Sequence, residues 1–246
     1  VYIWDMDETL ILLKSLINGT YAEAFNGSKN VQSGVEIGKM WENHILQICD
    51  DHFFYEQVEN CNMPYLDVLK QYDDGRDLTE YDFNKDGFDD LNKKRLAYRH
   101  RAVAHKYKKG LHSILDQDMI KSWSELYDVT DSYTDMWFSA ARACLEQQHV
   151  NILVTSGSLI PSLVKCLLFR LGDLIVYSSW EVGKLQCFSW IKERFPNVQF
   201  CVIGDGWEEC EAAESMRWPF VKIDPLPHRF PGLTPKDLGH YFSVVY

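Results

Sequence analysis

The sequence contains no long apolar run and no paired cysteine motif. No apolar run is long enough to cross a bilayer as a helix, and the first residues lack the basic start of a signal peptide. The seven cysteines are odd in number and include no Cys-x-x-Cys pair, which excludes a disulfide framework and a zinc site of that type. We therefore expect a cytoplasmic or nuclear protein with reduced cysteines and no membrane partner.

Positive charge is also scarce. The chain has 25 Lys and Arg against 36 Asp and Glu, which gives a formal net charge of -11. Affinity for the phosphate backbone comes from clustered Lys and Arg, so direct binding of nucleic acid is not expected. One basic stretch, from Lys93 to Lys109, is typical of a solvated helix face, with the docking of an acidic partner as the alternative.

From residue 151 onward, β-rich apolar runs alternate with helical segments. Such alternation predicts βαβ units and a parallel sheet that is covered on both faces. Residues 1 to 6 are the most economical source of the remaining central strand. We therefore predict an α/β fold with a Rossmann-like core. The predicted later strands are Asn151 to Thr155, Leu174 to Tyr177, Val198 to Ile203 and Phe220 to Ile223.

The segment between these two parts has a helical pattern. Apolar side chains recur at helical spacing over residues 37–49, 115–126 and 136–145. We expect residues 15–147 to form an inserted α-helical cap, and residues 1–14 and 148–246 to form the catalytic core. Caps of this kind exclude water from an active site and select the substrate.

Two carboxylates, Asp5 and Asp7, end the first apolar run. Side chains at positions i and i+2 share one face of a strand, and open α/β sheets bind ligands at the carboxyl ends of their strands. Two adjacent carboxylates both stay ionised only near a cation; otherwise one of them holds a proton. The pair indicates a metal site with a nucleophile and an acid/base, whereas the alternative is a turn in which Asp7 or Thr9 caps a helix.

Two later strand ends offer groups that suit an anion. The turn from Ser156 to Ser158 pairs small hydroxyls with a glycine, which lets backbone amides approach an anion at a helix N-terminus. Lys184 follows a glycine at a helix start, where a cation opposes the helix dipole unless an anion offsets it. A bound phosphate would offset it, although the turn also suits an ordinary helix cap and Lys184 a solvated position.

The next strand end is acidic. Asp205 follows an apolar strand between two glycines, with another acid at Glu208 or Glu209. Oxygen ligands on adjacent strand ends suit Mg²⁺, which keeps several waters and takes phosphate oxygens as further ligands. The sequence therefore predicts a magnesium site to which Asp5 and Asp205 contribute.

The order Asp-x-Asp-x-Thr, hydroxyl, Lys and Gly-Asp-x-x-x-acid resembles the haloacid dehalogenase superfamily. The resemblance implies that Asp5 is a nucleophile that forms an aspartyl-phosphate and that Asp7 is the general acid/base. Ser156 is preferred to Thr155 as the phosphoryl-binding hydroxyl because the Ser-Gly-Ser context suits an anion turn. The implied substrate-binding residues are Ser156, Gly157 and Lys184, and the implied metal ligands are Asp5, the backbone carbonyl of Asp7, Asp205 and Glu209.

The closer resemblance is to the Eyes Absent family. It rests on the segments Trp4 to Leu10, Lys14 to Ala22, Leu159 to Pro161 and Val202 to Glu209. It implies a Mg²⁺-dependent protein tyrosine phosphatase acting on phosphotyrosine proteins. In animals it also implies a transcriptional coactivator that binds homeodomain proteins of the Six class. The compact form is similar to plant-type members.

Two other functions are compatible with the same residues. One is a phosphatase of the same chemistry that acts on a small metabolite, which a closing helical cap would suit equally well. The other is a binding module or coactivator whose catalysis is secondary. A cysteine-based phosphatase is excluded because no cysteine is followed by an Arg six residues later.

Overall fold

A computed structural model describes residues 1–147, 149–224 and 235–245 of the chain. The strands are β1 (Tyr2–Trp4), β2 (Asn151–Thr155), β3 (Ile175–Ser178), β4 (Cys201–Gly204) and β5 (Phe220–Lys222). The helices are α1 (Lys14–Ile17), α2 (Thr20–Glu23), α3 (Val31–Phe53), α4 (Tyr55–Val58), α5 (Lys93–Lys109), α6 (Gln117–Tyr133), α7 (Trp137–Leu145), α8 (Leu159–Leu168), α9 (Lys184–Arg194), α10 (Trp207–Met216) and α11 (Pro235–Val245).

The strands form one parallel sheet with β1 at its centre. Their order is β3-β2-β1-β4-β5, and Tyr2 pairs with Asn151 on one side and with Cys201 on the other. The predicted α/β fold with a parallel sheet is therefore confirmed, and its strand order is consistent with a haloacid dehalogenase-like core. The strand predicted from Val198 begins only at Cys201, because Asn197 has a φ of 63° and Val198 remains exposed.

Apolar clusters cover both faces of the sheet. On one face, Val154 and Ile3 pack with Phe188 of α9 and with Ala213 of α10. On the other face, Trp4 and Leu153 join a cluster that includes α8 and the helices between β1 and β2. A parallel strand buried on both faces needs continuous apolar sequence, which is the reason that β1 lacks a polar alternation.

The predicted helices of the insertion are present as α3, α6 and α7. Trp41 of α3 packs on Phe169 just after α8, with their ring centroids 4.3 Å apart, and its Nε1 donates to Thr130 Oγ1 at 2.8 Å. The insertion therefore shares a continuous apolar cluster with one face of the sheet. The division into a cap and a core at residues 14/15 and 147/148 stays a prediction, and residue 148 lies outside the described residues.

The basic stretch forms α5, and several of its charges are paired within the chain. Lys94 Nζ lies 2.6 Å from an Asp74 oxygen, and Arg95 Nη1 lies 2.7 Å from an Asp90 oxygen. These acids lie in the irregular segment just before the helix, so part of the basic charge is neutralised locally. None of the helices described is long and apolar enough to cross a membrane.

Candidate active site

The candidate site is built at the carboxyl edge of the sheet, where the parallel strands end side by side. The backbone N–H of Asp5 donates to the Ile203 carbonyl at 2.8 Å, which extends the β1–β4 pairing by one residue past the strand. This bond fixes the direction of the Asp5 side chain, which is 9% exposed. The predicted nucleophile is therefore held by sheet geometry and not by a loop.

A buried lysine joins two of the predicted acidic residues. Lys184 Nζ donates to Asp5 Oδ1 and to Glu209 Oε2, both at 2.6 Å, and the lysine residue is only 5% exposed. Lys184 begins α9 directly after Gly183, whose φ of 80° favours glycine. The sequence predicted an anion near this lysine, and the structure places two carboxylates there.

The charges of this cluster alter each other's proton affinities. Burial raises the pKa of Asp5 to about 7, although Lys184 acts against that rise. Burial also raises the pKa of Asp205, and the nearby charge of Glu209 adds to the effect. Burial opposes the charge on Lys184, but the charges of Asp5 and Glu209 outweigh it and raise the pKa of the lysine. Burial also opposes the charge on Glu209, but the charge of Lys184 outweighs it and lowers the pKa of this carboxyl.

The two glycines around Asp205 make room for Glu209. A Cβ on Gly204 would lie 2.6 Å from the Glu209 side chain, and one on Gly206 would lie 2.9 Å from Glu209 Oε1. The same Oε1 accepts a hydrogen bond from the Gly206 N–H. The glycines therefore permit a buried carboxylate at position 209, whereas the side chain of Glu208 is turned toward Ser156.

Three carboxylates form a group that fits a hard metal ion. Asp5, Asp205 and Glu209 each offer an oxygen atom, and these atoms lie within 4.8 Å of one another. The second oxygen of Asp5 receives no hydrogen bond from the described residues, while Asp205 Oδ1 accepts one from Thr9 at 3.2 Å. An all-oxygen donor set with excess negative charge suits Mg²⁺ in preference to softer metals.

Asp7 has a cationic partner that the sequence analysis missed. Lys165 Nζ donates to both Asp7 carboxylate oxygens, at 2.7 and 3.0 Å. Lys165 is the charged residue in α8, within an otherwise mostly apolar helix sequence. This lone charge was the available signal, but the partner lies 158 positions away in the chain. The Asp7 side chain is not part of the three-carboxylate group.

Glu8 shapes the loop that follows the two aspartates. Its φ of 60° is unusual for a residue other than glycine, and its Oε1 accepts the N–H groups of Leu13 and Ser15, both at 3.1 Å. Burial raises the pKa of this carboxyl. Glu8 thus satisfies the backbone that turns away from the site, a positioning role that the sequence pattern did not reveal.

The hydroxyl turn after β2 presents Ser156 to solvent. Ser156 Oγ donates to Glu208 Oε2 at 3.1 Å, while the buried Thr155 accepts the Gly157 N–H on its Oγ1 at 3.1 Å. Ser156 is thus accessible to a ligand, whereas the Gly157 amide is already bonded within the turn. The phosphate-binding roles of Ser156 and Gly157 stay predictions.

The insertion contributes a contact to this edge of the sheet. Asn62 Oδ1 accepts the Leu159 N–H at 2.9 Å, and Asn62 Nδ2 donates to Ser178 Oγ at 3.2 Å. The Pro64 carbonyl accepts the Ser178 N–H at 2.7 Å. The segment around Asn62 therefore fixes the start of α8 and the end of β3, both of which border the site.

A cavity of about 230 Å³ opens onto the carboxylates. At its edge lies Trp207, which is 72% exposed although tryptophan usually buries most of its surface. Every side chain that was predicted as catalytic lines the cavity, and the indole of Trp207 lies beside them. Its lining residues include Asp5, Asp7, Ser156, Lys184, Asp205 and Glu209.

Comparison with known proteins gives a consistent picture. No protein-family profile matches the chain. The chain is 62% identical to the Arabidopsis thaliana protein named protein phosphatase EYA, over 100% of this chain and 90% of that protein. It is 32% identical to human protein phosphatase EYA2 and 31% identical to the Drosophila melanogaster protein phosphatase eya, in each case over 91% of this chain. The chain spans 47% and 33% of the length of these two animal relatives. The protein therefore belongs to the EYA protein phosphatase family.

Proposed function

We propose that this protein is a Mg²⁺-dependent protein tyrosine phosphatase in which Asp5 is the nucleophile and Asp7 the general acid/base. The observation that supports the proposal most strongly is the buried bridge from Lys184 to Asp5 and Glu209, with Asp205 beside it. Membership of a family of protein phosphatases supports the phosphate chemistry. Apolar residues of similar volume would stabilise the fold at least as well as this buried group of acids around one lysine. The charged group therefore favours a functional role.

The positive charge of Lys184 offsets two kinds of repulsion. A carboxylate and a phosphate dianion repel each other, so the attack of Asp5 on phosphorus requires cationic groups near both. Lys184 stays protonated because its pKa is raised, and it already contacts an Asp5 oxygen. A Mg²⁺ ion held by Asp5, Asp205 and Glu209, together with the Asp7 carbonyl, would supply further neutralisation of the phosphoryl oxygens.

The reaction divides into two displacements at phosphorus. In the first, an Asp5 oxygen forms a bond to phosphorus, the bond from phosphorus to the tyrosine oxygen breaks, and Asp7 gives its proton to the departing phenolate. In the second, Asp7 accepts a proton from water as the water oxygen attacks phosphorus. The acyl phosphate bond breaks, which regenerates the Asp5 carboxylate and releases inorganic phosphate.

Two further observations favour this chemistry and an aromatic substrate. Burial raises the pKa of the thiols of Cys166 and Cys187 to about 12, so neither is an activated nucleophile. The exposed indole of Trp207 at the cavity edge offers a face on which a tyrosine ring can stack.

The mechanism is tested with a small aryl phosphate, para-nitrophenyl phosphate. We expect hydrolysis with Mg²⁺, none in EDTA, and none in the Asp5→Asn variant despite an unchanged circular dichroism spectrum. The Glu214→Gln variant, which changes an exposed acid on α10, is the matched control and should retain full activity. Full activity in EDTA or in Asp5→Asn would refute the mechanism.

The substrate class is tested by comparing kcat/KM for phosphotyrosine peptides, phosphoserine peptides and a panel of phosphorylated metabolites, all with Mg²⁺. We expect the phosphotyrosine peptides to be hydrolysed best. If metabolites are better by orders of magnitude, the enzyme is a small-molecule phosphatase of the same chemistry. The Six-type partnership and the nuclear or cytoplasmic location that the resemblance implies stay predictions.

A further inference from the structure

A second and larger cavity lies beside the candidate active site. It has a volume of about 610 Å³ and runs between α10 and the β3–α9 loop with the start of α9. We call it the flanking groove. One wall is the face of α10 that carries Glu208, Glu211, Ala212 and Ser215, which recur at helical spacing. The opposite wall consists of Ser179, Trp180, Gly183 and Leu185.

The flanking groove is continuous with the catalytic cavity. Ser156, Lys184 and Glu208 line both spaces. Because the two spaces share these residues, a peptide that extends from a phosphotyrosine in the catalytic cavity can enter the groove directly. The groove is therefore placed to receive a side chain next to the phosphotyrosine, and its volume is large enough for one.

The charge of the groove is negative. Lys184 is neutralised by Asp5 and Glu209, so it adds no free positive charge to the groove. Glu208 and Glu211 form no ion pair with the residues that the structure describes, which leaves two carboxylates facing this space. A basic side chain would be attracted to this wall, and an acidic one would be repelled.

The opposite wall is aromatic and exposed. Trp180 is 68% exposed and Leu185 is 46% exposed, although both are large apolar side chains. Trp180 and Glu211 both line the flanking groove. An indole face on one side and a carboxylate on the other match a guanidinium, which stacks on aromatic rings and binds carboxylates through two parallel N–H groups. A lysine ammonium fits this arrangement less well because it lacks the planar fork.

We infer that the flanking groove binds an arginine adjacent to the phosphotyrosine of the substrate, between Trp180 and Glu211. This inference rests on the proposed phosphatase function and specifies its substrate class: phosphotyrosine segments with a neighbouring arginine. Neither residue contacts the reacting atoms, so both act as determinants of specificity and not as catalytic residues.

The test compares phosphotyrosine peptides that differ only at the positions flanking the tyrosine, which carry Arg, Lys, Ala or Glu. We expect the wild-type kcat/KM to fall in the order Arg, Lys, Ala, Glu, with Arg exceeding Ala about three- to tenfold. The preference should shrink when salt is raised from 0.05 to 0.5 M, because exposed charges are screened. Hydrolysis of para-nitrophenyl phosphate, which has no flanking residue to occupy the groove, should not show this effect of salt.

The variants Glu211→Gln and Trp180→Ala should each reduce the preference for Arg to about twofold or less while retaining activity on para-nitrophenyl phosphate. Glu214→Gln, on the same helix but outside the groove, is the matched control and should retain the preference. The inference is overturned if wild type shows no preference for Arg, or if the preference survives either variant. Failure of the phosphatase proposal itself is distinguished by a lack of para-nitrophenyl phosphate hydrolysis in wild type.

Discussion

The buried nucleophile should make the metal-free protein less stable as the pH rises. Burial raises the pKa of Asp5 from 3.8 to about 7, so the folded chain binds this proton more tightly than the unfolded chain does. The stabilisation that the protonated Asp5 carboxyl contributes is complete below pH 4 and is lost as the pH rises through 7. Complete ionisation costs about 4 kcal/mol, of which roughly 2–3 kcal/mol develops between pH 5 and pH 7.5.

The Asp5→Asn variant removes this titration while keeping an oxygen that can accept from Lys184. Any pH-independent effect of the substitution is the same at both pH values. The informative quantity is therefore how the difference in unfolding free energy between variant and wild type changes from pH 5 to pH 7.5. Relative to wild type, the metal-free variant should gain about 2–3 kcal/mol in unfolding free energy between pH 5 and pH 7.5. Urea denaturation in EDTA measures this, with the exposed Asp118→Asn as the control that should track wild type.

Mg²⁺ should instead stabilise wild type relative to the Asp5→Asn variant. At a concentration 100 times its dissociation constant it should stabilise wild type by about 2.7 kcal/mol at pH 7.5, and Asp5→Asn by much less. The reasoning is refuted if the difference between variant and wild type is the same at pH 5 and pH 7.5 in EDTA. It is also refuted if Mg²⁺ stabilises both proteins equally.

Three further substitutions test other parts of the site. Gly204→Ala should destabilise the fold by about 2–4 kcal/mol in urea denaturation because its methyl group displaces Glu209, whereas Gly87→Ala, whose Cβ meets nothing within 4 Å, should have little effect; equal effects would contradict this. Lys165→Met should lower kcat roughly 10- to 100-fold by releasing the general acid/base from its ion pair, and Lys165→Arg should restore part of it; an unchanged kcat for Lys165→Met would exclude the positioning role. Trp207→Ala should raise KM several-fold for aryl phosphates, by about 1 kcal/mol of lost stacking, but not for alkyl phosphates; an equal rise for both classes would argue against stacking.

Much of the fold could be predicted because its signals are local. The run from Asn151 to Thr155 is a strand as predicted, since a short, β-rich apolar run between turn signals is typical of a buried strand. The boundaries shifted where backbone geometry intervened, as at Asn197, whose left-handed conformation delays β4. The helices of the insertion followed from the 3.6-residue period alone.

The sequence by itself determined that Asp5 and Asp205 lie at one edge of the sheet, because the carboxyl ends of parallel strands share that edge whatever the details of packing. It left Lys184 either beside an anion or in solvent. Only the tertiary structure decided which groups contact each other there. The pairing of Lys165 with Asp7 and the burial of Glu209 against Gly204 depend on how α8 and α10 lie on the sheet. No local rule fixes such contacts, because they join side chains from elements that are far apart in the chain and become neighbours only when the cores on both faces are packed.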